Sequence, residues 1–289
     1  MIEFFIGVDG GGSGTRAKLA RADGSPLAEG AAGPSGLLHG IDKAWRAVEE
    51  AAKQAFVAAG LEVAPRASIA IGLGLAGVHN KEWAAAFVAA NPGYARVALE
   101  SDGHTTVLGA HAGQPGAIVA LGTGSVGEVK LANGTHREVG GWGFPAGDEA
   151  SGAWMGLRAI NHIQQVLDGR VPGNAFADEV IAACGGARNA IQVWLANASQ
   201  TQYAQLARIV LQHGASNPLA EAILRAAGHE VELIANALDT SGTLPIALCG
   251  GLAAPMQPWL PAALLKRVVP AQGDSAAGAL RLIQQRVKE

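Results

Sequence analysis

The segment 6–19, IGVDGGGSGTRAKL, restricts the fold of this chain more than any other stretch. An apolar run over 4–8 ends in Asp9, three glycines follow, and a second short run covers 17–20. Glycine tolerates positive φ and lets the backbone approach a ligand closely. The pattern predicts a strand, a tight glycine turn and a second strand.

The turn has the composition of an anion-binding loop. Its N–H groups and two hydroxyls would surround phosphate oxygens, and it consists of Gly10, Gly11, Gly12, Ser13, Gly14 and Thr15. Asp9, at the strand end, is placed to reach a bound metal ion directly or through water. A plain hairpin turn is the alternative, although it needs fewer glycines. The glycine spacing is not that of a dinucleotide-binding motif, and the chain has no Gly-Lys pair for a Walker-type P-loop.

The composition narrows the class of protein. The 289 residues suffice for one large domain or two ordinary ones, and 49% are hydrophobic. A net charge of −3 without a basic run argues against a nucleic-acid groove. The two cysteines lie far apart and no apolar run approaches the ~20 residues of a membrane span. With no leader-like start, we expect a soluble, cytoplasmic protein.

The periodicity predicts two similar α/β halves. In the first, strands at 2–8, 15–21 and 26–31 form an antiparallel meander, followed by a helix at 42–59, a buried strand at 67–75, a helix at 81–90, a strand at 96–100 and a helix at 103–112. In the second, we expect strands at 117–121, 126–131, 135–139, 244–249 and 267–269, helices over 151–239 and a last helix at 275–287. Two such halves, with a boundary near 110–117, would face each other across a cleft.

The second half also opens on a small-residue turn after an apolar strand, made of Gly122, Thr123, Gly124 and Ser125. Two such turns indicate a polyphosphate more strongly than one. Asp102 follows a strand and begins a helix, a common address for site residues in α/β folds. Its carboxylate could accept the proton of an attacking hydroxyl. A helix-capping role is the alternative, but Ser101 can serve as that cap.

Two further stretches are candidates for ligand contacts. The segment 140–156, GGWGFPAGDEASGAWMG, offers the flat face of Trp142 to a sugar ring, the acceptors Asp148 and Glu149 to hydroxyls, and a helix N-terminus that favours anions. An Ω-loop with a capping residue is the alternative. The Gly250-Gly251 pair would allow close approach of a planar group such as adenine, and the small residues at 274–279 could let two domains pack and hinge. Simple helix–strand packing is the alternative for both.

Together these motifs resemble the sugar kinase, actin and heat-shock ATPase superfamily. Within it the chain resembles the BadF/BadG/BcrA/BcrD ATPase family, most closely its N-acetylglucosamine kinases and bacterial glucosamine kinases. The resemblance covers essentially the whole chain and rests on DGGGSGT at 9–15, SDG at 101–103, GTGS at 122–125, GGWGFPAGDEASG at 140–152, GG at 250–251 and DSAAGA at 274–279.

The resemblance implies an α/β fold of two ribonuclease-H-like (actin-like ATPase) domains with mixed sheets flanked by helices, and with ATP, Mg²⁺ and the sugar between them. The first domain would cover 1–112 and the second 113–289, with a helical insertion at about 157–240. The C-terminal helix, 275–289, could pack back on the first domain. The implied reaction transfers the γ-phosphate to the 6-hydroxyl of an amino sugar.

The resemblance also assigns roles by position. Asp102 matches the catalytic base and Asp9 lies near the metal. The ATP contacts match 10–15, 122–125, Gly250 and Gly251. The substrate contacts fall on Ser35, Gly36, Gly77, Asp102, Gly141, Trp142 and Asp148.

One position departs from the family pattern. N-acetylglucosamine kinases usually carry an asparagine where this chain has Gly36, which leaves the choice between N-acetylglucosamine, glucosamine and another amino sugar open. More distant alternatives are an ATPase activator that holds an iron–sulfur cluster through cysteines, and a non-catalytic sugar sensor. A homodimer is also possible, since apolar residues such as Leu206, Ile209 and Val210 could pair two copies or lie in the core.

Overall fold

The computed structural model describes all 289 residues. Its first half contains β1 (Phe4–Gly10), β2 (Thr15–Arg21), β3 (Pro26–Ala32), α1 (Ile41–Ala58), β4 (Ile69–Leu75), α2 (Lys81–Ala89), β5 (Arg96–Glu100) and α3 (Asp102–Ala110). The remainder contains β6 (Gly116–Leu121), β7 (Ser125–Lys130), β8 (His136–Gly140), α4 (Gly152–Leu167), α5 (Ala175–Ala183), α6 (Arg188–Asn197), α7 (Gln200–Gln205), α8 (Ala207–His213), α9 (Pro218–Leu238), β9 (Ile246–Cys249), α10 (Ala253–Met256), α11 (Ala262–Leu265) and α12 (Ser275–Lys288). No helix combines the length and the apolar character needed to cross a membrane.

The chain divides into two compact units. The first comprises Met1–Gly116, Val129–His136 and Pro270–Glu289, and the second comprises Ala117–Glu128 and Arg137–Val269. The last helix and the residues around the β7–β8 turn therefore belong to the first unit. The domain boundary expected at 112/113 stays a prediction.

The first unit is built on a mixed sheet of order β3-β2-β1-β4-β5. β1 pairs antiparallel with β2 and parallel with β4, and β4 pairs parallel with β5. The carboxyl ends of three parallel strands therefore meet at one edge of the sheet. Asp9 lies at the end of β1, opposite Gly74 of β4, and Asp102 follows the end of β5. The topology thus brings two residues that are distant in sequence to the same edge.

The last helix, α12, lies directly against this sheet because glycines face it. A Cβ on Gly7 would stand 2.2 Å from the carbonyl oxygen of Ala276, and one on Gly72 would stand 2.0 Å from that of Ala279. Such separations leave no room for any side chain. The small residues at 274–279, for which simple packing is the alternative to a domain hinge, pack against the sheet and α3 of the first unit.

The opposite face of the sheet is covered by α1, whose apolar positions recur every three or four residues. Trp45 stacks on Phe87 with ring centroids 4.2 Å apart, and its indole N–H donates to the Phe87 carbonyl at 2.9 Å. Burial of Trp45, Phe56 and Phe87 supplies much of the apolar surface that stabilises this unit.

The second unit has a sheet of order β8-β7-β6-β9, with β6 and β9 parallel, and helices α4–α9 lie between β8 and β9 in the chain. Leu206, Ile209 and Val210 are at most 4% exposed in the single chain, which places them in the core. The strand expected at 267–269 is wrong, because only an isolated bridge joins Ile246 to Val268. Pro270 follows at once and has no N–H to extend the ladder.

Candidate active site

The first glycine loop joins β1 to β2 at the edge where the parallel strands end. The Gly11 N–H donates to the Gly14 carbonyl at 3.0 Å, which closes the turn. Gly12 and Ser13 are exposed at its tip. The loop therefore presents backbone N–H groups and one hydroxyl outward, the arrangement that binds phosphate oxygens.

Thr15 supports this loop from its buried side. It is 2% exposed, and its hydroxyl lies 2.6 Å from the Gly33 carbonyl and 2.7 Å from the Ser35 hydroxyl. The Ser35 and Gly36 N–H groups donate to the Gly11 carbonyl at 3.2 and 3.0 Å. Thr15 and the fully buried Ser35 thus stabilise the conformation of the loop, a role that the sequence analysis did not predict.

The candidate substrate position Gly77 lies close to this bracing segment. A Cβ there would stand 3.3 Å from the Cβ of Leu37, and the Leu37 N–H donates to the Ala76 carbonyl at 2.9 Å. Gly36, Leu37 and Gly77 therefore form one packed layer next to the glycine loop. Gly36 itself brings no side chain to a ligand.

Asp9 lies in an environment short of positive charge. Arg16 approaches one of its oxygens at 3.3 Å, and the Ser275 hydroxyl is close enough to lower its pKa. Burial, chiefly, and the nearby charges of Asp102 and Asp274 raise the pKa of Asp9 above its ordinary value, despite the opposing effects of Ser275 and Arg16. A divalent cation would relieve this excess of negative charge.

The residues present fit a magnesium ion that is held largely by a nucleotide. No group of three or more His, Cys, Asp or Glu side chains could enclose a metal by itself. Mg²⁺ in phosphate-transfer sites typically uses one or two carboxylates, waters and substrate phosphates instead. Asp9 is the carboxylate that the first unit offers for this purpose.

Asp102 is the first residue of α3 and is half-buried. The cap of this helix is Ser101, whose hydroxyl accepts the His104 N–H at 3.1 Å. Asp102 is therefore not needed as the cap. One of its carboxylate oxygens accepts the Gly103 N–H at 3.1 Å, and the remaining acceptor sites are available to a substrate hydroxyl.

The second loop, between β6 and β7, resembles the first in that one hydroxyl residue is exposed and another is buried. Thr123 is exposed at its tip, whereas Ser125 is buried and its hydroxyl donates to the Glu149 carbonyl at 2.5 Å. The first N–H groups of α4, on Gly152 and Ala153, donate to the carbonyls of Gly122 and Thr123. These two N–H groups at the N-terminus of α4, where the sequence favours an anion, therefore bond to the loop backbone.

The segment 140–149 separates an exposed aromatic ring from a buried carboxylate. Trp142 is 85% exposed and follows Gly141, which has a φ of 70°. Asp148 is only 6% exposed, and its oxygens accept from the Gln200 side-chain amide at 2.6 Å and the Gly143 N–H at 3.3 Å. Gln200 is absent from the sequence predictions because 52 residues separate it from Asp148 and it belongs to no motif.

Gly250 and Gly251 follow β9 and lie beside the second loop. The next residue, Leu252, donates its N–H to the carbonyl of Leu121, the last residue of β6, at 3.0 Å. Leu252 also lines a cavity of about 660 Å³ together with Trp194, Leu206 and Arg208. The structure therefore brings the glycine pair, the second loop and an aromatic-lined cavity together in one unit.

Comparison with solved structures first defines the class of fold. The ROK hexokinase of Thermus thermophilus superposes with a TM-score of 0.55 over 98% of this chain and 99% of the other, at 20% identity. The predicted α/β class, with mixed sheets flanked by helices and actin-like ATPase neighbours, is confirmed.

The chain belongs to the BadF/BadG/BcrA/BcrD ATPase family, whose model matches residues 6–280. It is 34% identical to glucosamine kinase GspK of Vibrio cholerae over 281 residues, which cover 96% of this chain and 95% of the relative. A crystal structure of a candidate N-acetylglucosamine kinase from Chromobacterium violaceum matches with a TM-score of 0.91 and 51% identity, over 98% of this chain and 99% of the other. The family predicted from the motifs is thus confirmed, and these relatives are named as amino-sugar kinases.

Proposed function

We propose that this protein is an ATP-dependent amino-sugar kinase that transfers the γ-phosphate to the 6-hydroxyl of N-acetylglucosamine. The observation that carries the proposal is the position of Asp102 at the same sheet edge as Asp9, in a chain related over nearly its full length to a glucosamine kinase. A protein that uses ATP in this way would act in the cytoplasm, where ATP is abundant.

The roles proposed for the residues follow from what phosphoryl transfer requires, which is chiefly positioning and neutralisation of charge. Asp102 orients the sugar hydroxyl and accepts its proton. The exposed tips of the two loops, at Ser13 and Thr123, contact the phosphates. When bound through Asp9, Mg²⁺ would neutralise charge on the phosphate oxygens.

The sugar contacts are proposed from the family positions named in the sequence analysis. Those assigned to the amino sugar are Gly36, Gly77, Gly141, Trp142 and Asp148. The exposed ring of Trp142 suits the apolar face of a pyranose. Gly250, Gly251 and the neighbouring cavity are assigned to the adenosine.

Glucosamine is the second candidate substrate, and two observations favour it. The curated relative that is 34% identical is named a glucosamine kinase. Gly36 also lacks a side chain that could contact an acetamido group, and a Cβ there would stand 3.4 Å from the Gly11 backbone. Such a distance is an ordinary van der Waals contact, so the first loop does not itself require glycine at this position.

The remaining alternatives have less support. An activator with a cysteine-ligated cluster needs accessible thiolates, but Cys184 is 1% exposed. Burial also raises the pKa of both Cys184 and Cys249 to about 11, which keeps the thiols protonated. A sensor without activity would not require Asp9 and Asp102 together.

The test is an assay of ADP release with Mg-ATP and each of N-acetylglucosamine, glucosamine, N-acetylmannosamine and glucose. Turnover on N-acetylglucosamine supports the proposal, and turnover confined to glucosamine selects the second candidate. ADP release that is equal with and without sugar supports the activator. No turnover on any sugar contradicts kinase activity and supports the sensor. Phosphorus NMR of the product would identify the hydroxyl, and size-exclusion chromatography with light scattering would test the homodimer.

A further inference from the structure

The contact between Asp148 and Gln200 joins two parts of the second unit that no sequence motif connects. The Gln200 side-chain amide donates to Asp148 Oδ2 at 2.6 Å, a short hydrogen bond to a buried carboxylate. Asp148 also has a φ of 58°, an uncommon conformation for a residue other than glycine. Interactions around it must therefore fix both its backbone and its side chain.

The position of Gln200 is itself fixed by close packing of α7 on α4. A Cβ on Gly156 of α4 would stand 2.0 Å from the Tyr203 carbonyl oxygen, so that the two backbones are nearly in contact. Ser199 and Gln202 form a capping box at the start of α7. Tyr203 also contacts Phe144, with ring centroids 4.9 Å apart. Helix α7 thus supports the segment 140–149 at two points.

The same contact reaches the second glycine loop. A Cβ on Gly124 would stand 2.7 Å from Asp148 Oδ2 and 3.3 Å from the Gln200 amide nitrogen. The carboxylate–amide pair therefore lies directly against the loop, and a side chain on Gly124 would displace it. The pair joins the segment 140–149 to the start of α7 and packs against the loop, which is fastened separately by Ser125, Gly152 and Ala153.

Asp148 keeps the capacity to bind a ligand within this arrangement. A carboxylate offers about four acceptor positions, and the structure occupies one on each oxygen through Gln200 and Gly143. A sugar hydroxyl could donate to the others. Because Gln200 can only hold one orientation of the carboxylate, it determines where those free positions point.

We propose that Gln200 is a positioning residue for substrate binding: its amide holds the Asp148 carboxylate in the orientation that accepts a hydroxyl of the amino sugar. This inference rests on the proposed function. Removal of the amide therefore weakens sugar binding more than it affects ATP, because Gln200 acts through Asp148.

The test compares Gln200→Ala with wild type and with Gln212→Ala, the same change at an exposed residue of α8 that makes no contact with Asp148. We expect KM for the sugar to rise about tenfold in Gln200→Ala, the size of one lost hydrogen bond to a charged group. KM for ATP should remain within about twofold of wild type, and Gln212→Ala should match wild type in both.

The variant Gln200→Met separates positioning from simple support of the fold. Methionine keeps nearly the length and volume of glutamine but cannot donate a hydrogen bond to Asp148. We expect its sugar KM to rise about as far as that of Gln200→Ala, with KM for ATP within about twofold of wild type.

The outcomes distinguish the two proposals. Wild-type turnover with an unchanged sugar KM in Gln200→Ala overturns the role of Gln200 alone. If that variant is too unstable to assay, an unchanged sugar KM in Gln200→Met overturns it instead. Absence of wild-type turnover on any amino sugar overturns the proposed function, and the substrate role of Gln200 with it.

Discussion

The hydroxyl of Ser275 lies 2.8 Å from the hydroxyl of Thr105, although 170 residues separate them in sequence. Ser275 also lies near enough to Asp9 to lower the pKa of its carboxyl, and Thr105 lies one turn after Asp102 in α3. The start of α12 therefore joins the strand end that carries the proposed metal-side carboxylate to the helix that carries the proposed base. This connection lies entirely within the first unit.

Asp102→Asn should lower kcat by at least ~10²-fold, the lower end for loss of a general base. The amide keeps an oxygen that can accept the Gly103 N–H, so the fold should be preserved. Binding of ATP, measured by calorimetry, should be unchanged. The exposed Asp23→Asn serves as the control, and a kcat within threefold of wild type would exclude Asp102 as the base.

Ser275→Ala should raise the Mg²⁺ concentration needed for half-maximal activity by about tenfold, because Asp9 loses a nearby hydroxyl that favours its charged form. A titration of activity against Mg²⁺ at constant ATP measures the effect. Ser216→Ala, at an exposed position, is the matched change. An unaltered Mg²⁺ profile in Ser275→Ala would contradict the link between Ser275 and the metal.

Gly72→Ala should destabilise the protein by about 1–3 kcal/mol or more, as overpacking of a close contact does. The added methyl group would meet the Ala279 carbonyl of α12 at 2.0 Å, and a helix backbone cannot move aside cheaply. Gly33→Ala is the control, because a Cβ there meets nothing within 4 Å. Urea denaturation of both variants gives the comparison, and equal midpoints would refute the prediction.

The stacked rings of His104 and His136 should make stability depend on pH. Their centroids are 3.5 Å apart, and the His136 Nδ1 atom is buried without a hydrogen-bond partner. Burial first, then Lys130 and Arg286, lowers the pKa of His104 to about 4. Burial first, then His104 and Lys130, lowers the pKa of His136 to about 4, against the opposing effect of Glu100.

Between pH 6.5 and 4 the unfolded chain binds more protons at these two sites than the folded protein does. The free energy of unfolding should therefore keep its full value above pH 6.5 and decrease as the pH falls towards 4. His136→Asn should reduce the loss of Tm between pH 7 and pH 5, whereas exposed His39→Asn should not. Identical slopes for wild type and His136→Asn would argue against this origin.

The sequence predicts the order of elements well because glycine turns, caps and apolar periodicity act over a few residues. The short loops and the Ser101 cap, for example, lie where the pattern indicates. The strand expected at 267–269 fails because apolar residues alone do not show that Pro270 ends the pairing. A motif also does not show whether a hydroxyl contacts a ligand or a neighbouring backbone group. The hydroxyls of Thr15 and Ser125, for example, bond to backbone carbonyls.

The features that the sequence does not predict depend on contacts between segments that are distant in the chain. Gln200 and Ser275 carry ordinary side chains in ordinary helix starts, and nothing in their neighbours indicates an acidic partner. Their roles arise only when packing brings α7 onto α4 and α12 onto the first sheet. A single sequence contains no record of such pairings, so that a structure is needed to find them.

The placement of α12 also determines the order in which this protein can fold. The apolar cluster of Phe5, Ala20 and Ala70 is completed by Ile283, which is synthesised after the whole second unit. A nascent chain must therefore keep one face of its first sheet uncovered until residues 275–288 have left the ribosome. During that interval the exposed apolar face is a natural target for chaperones, whereas the second unit can already have folded.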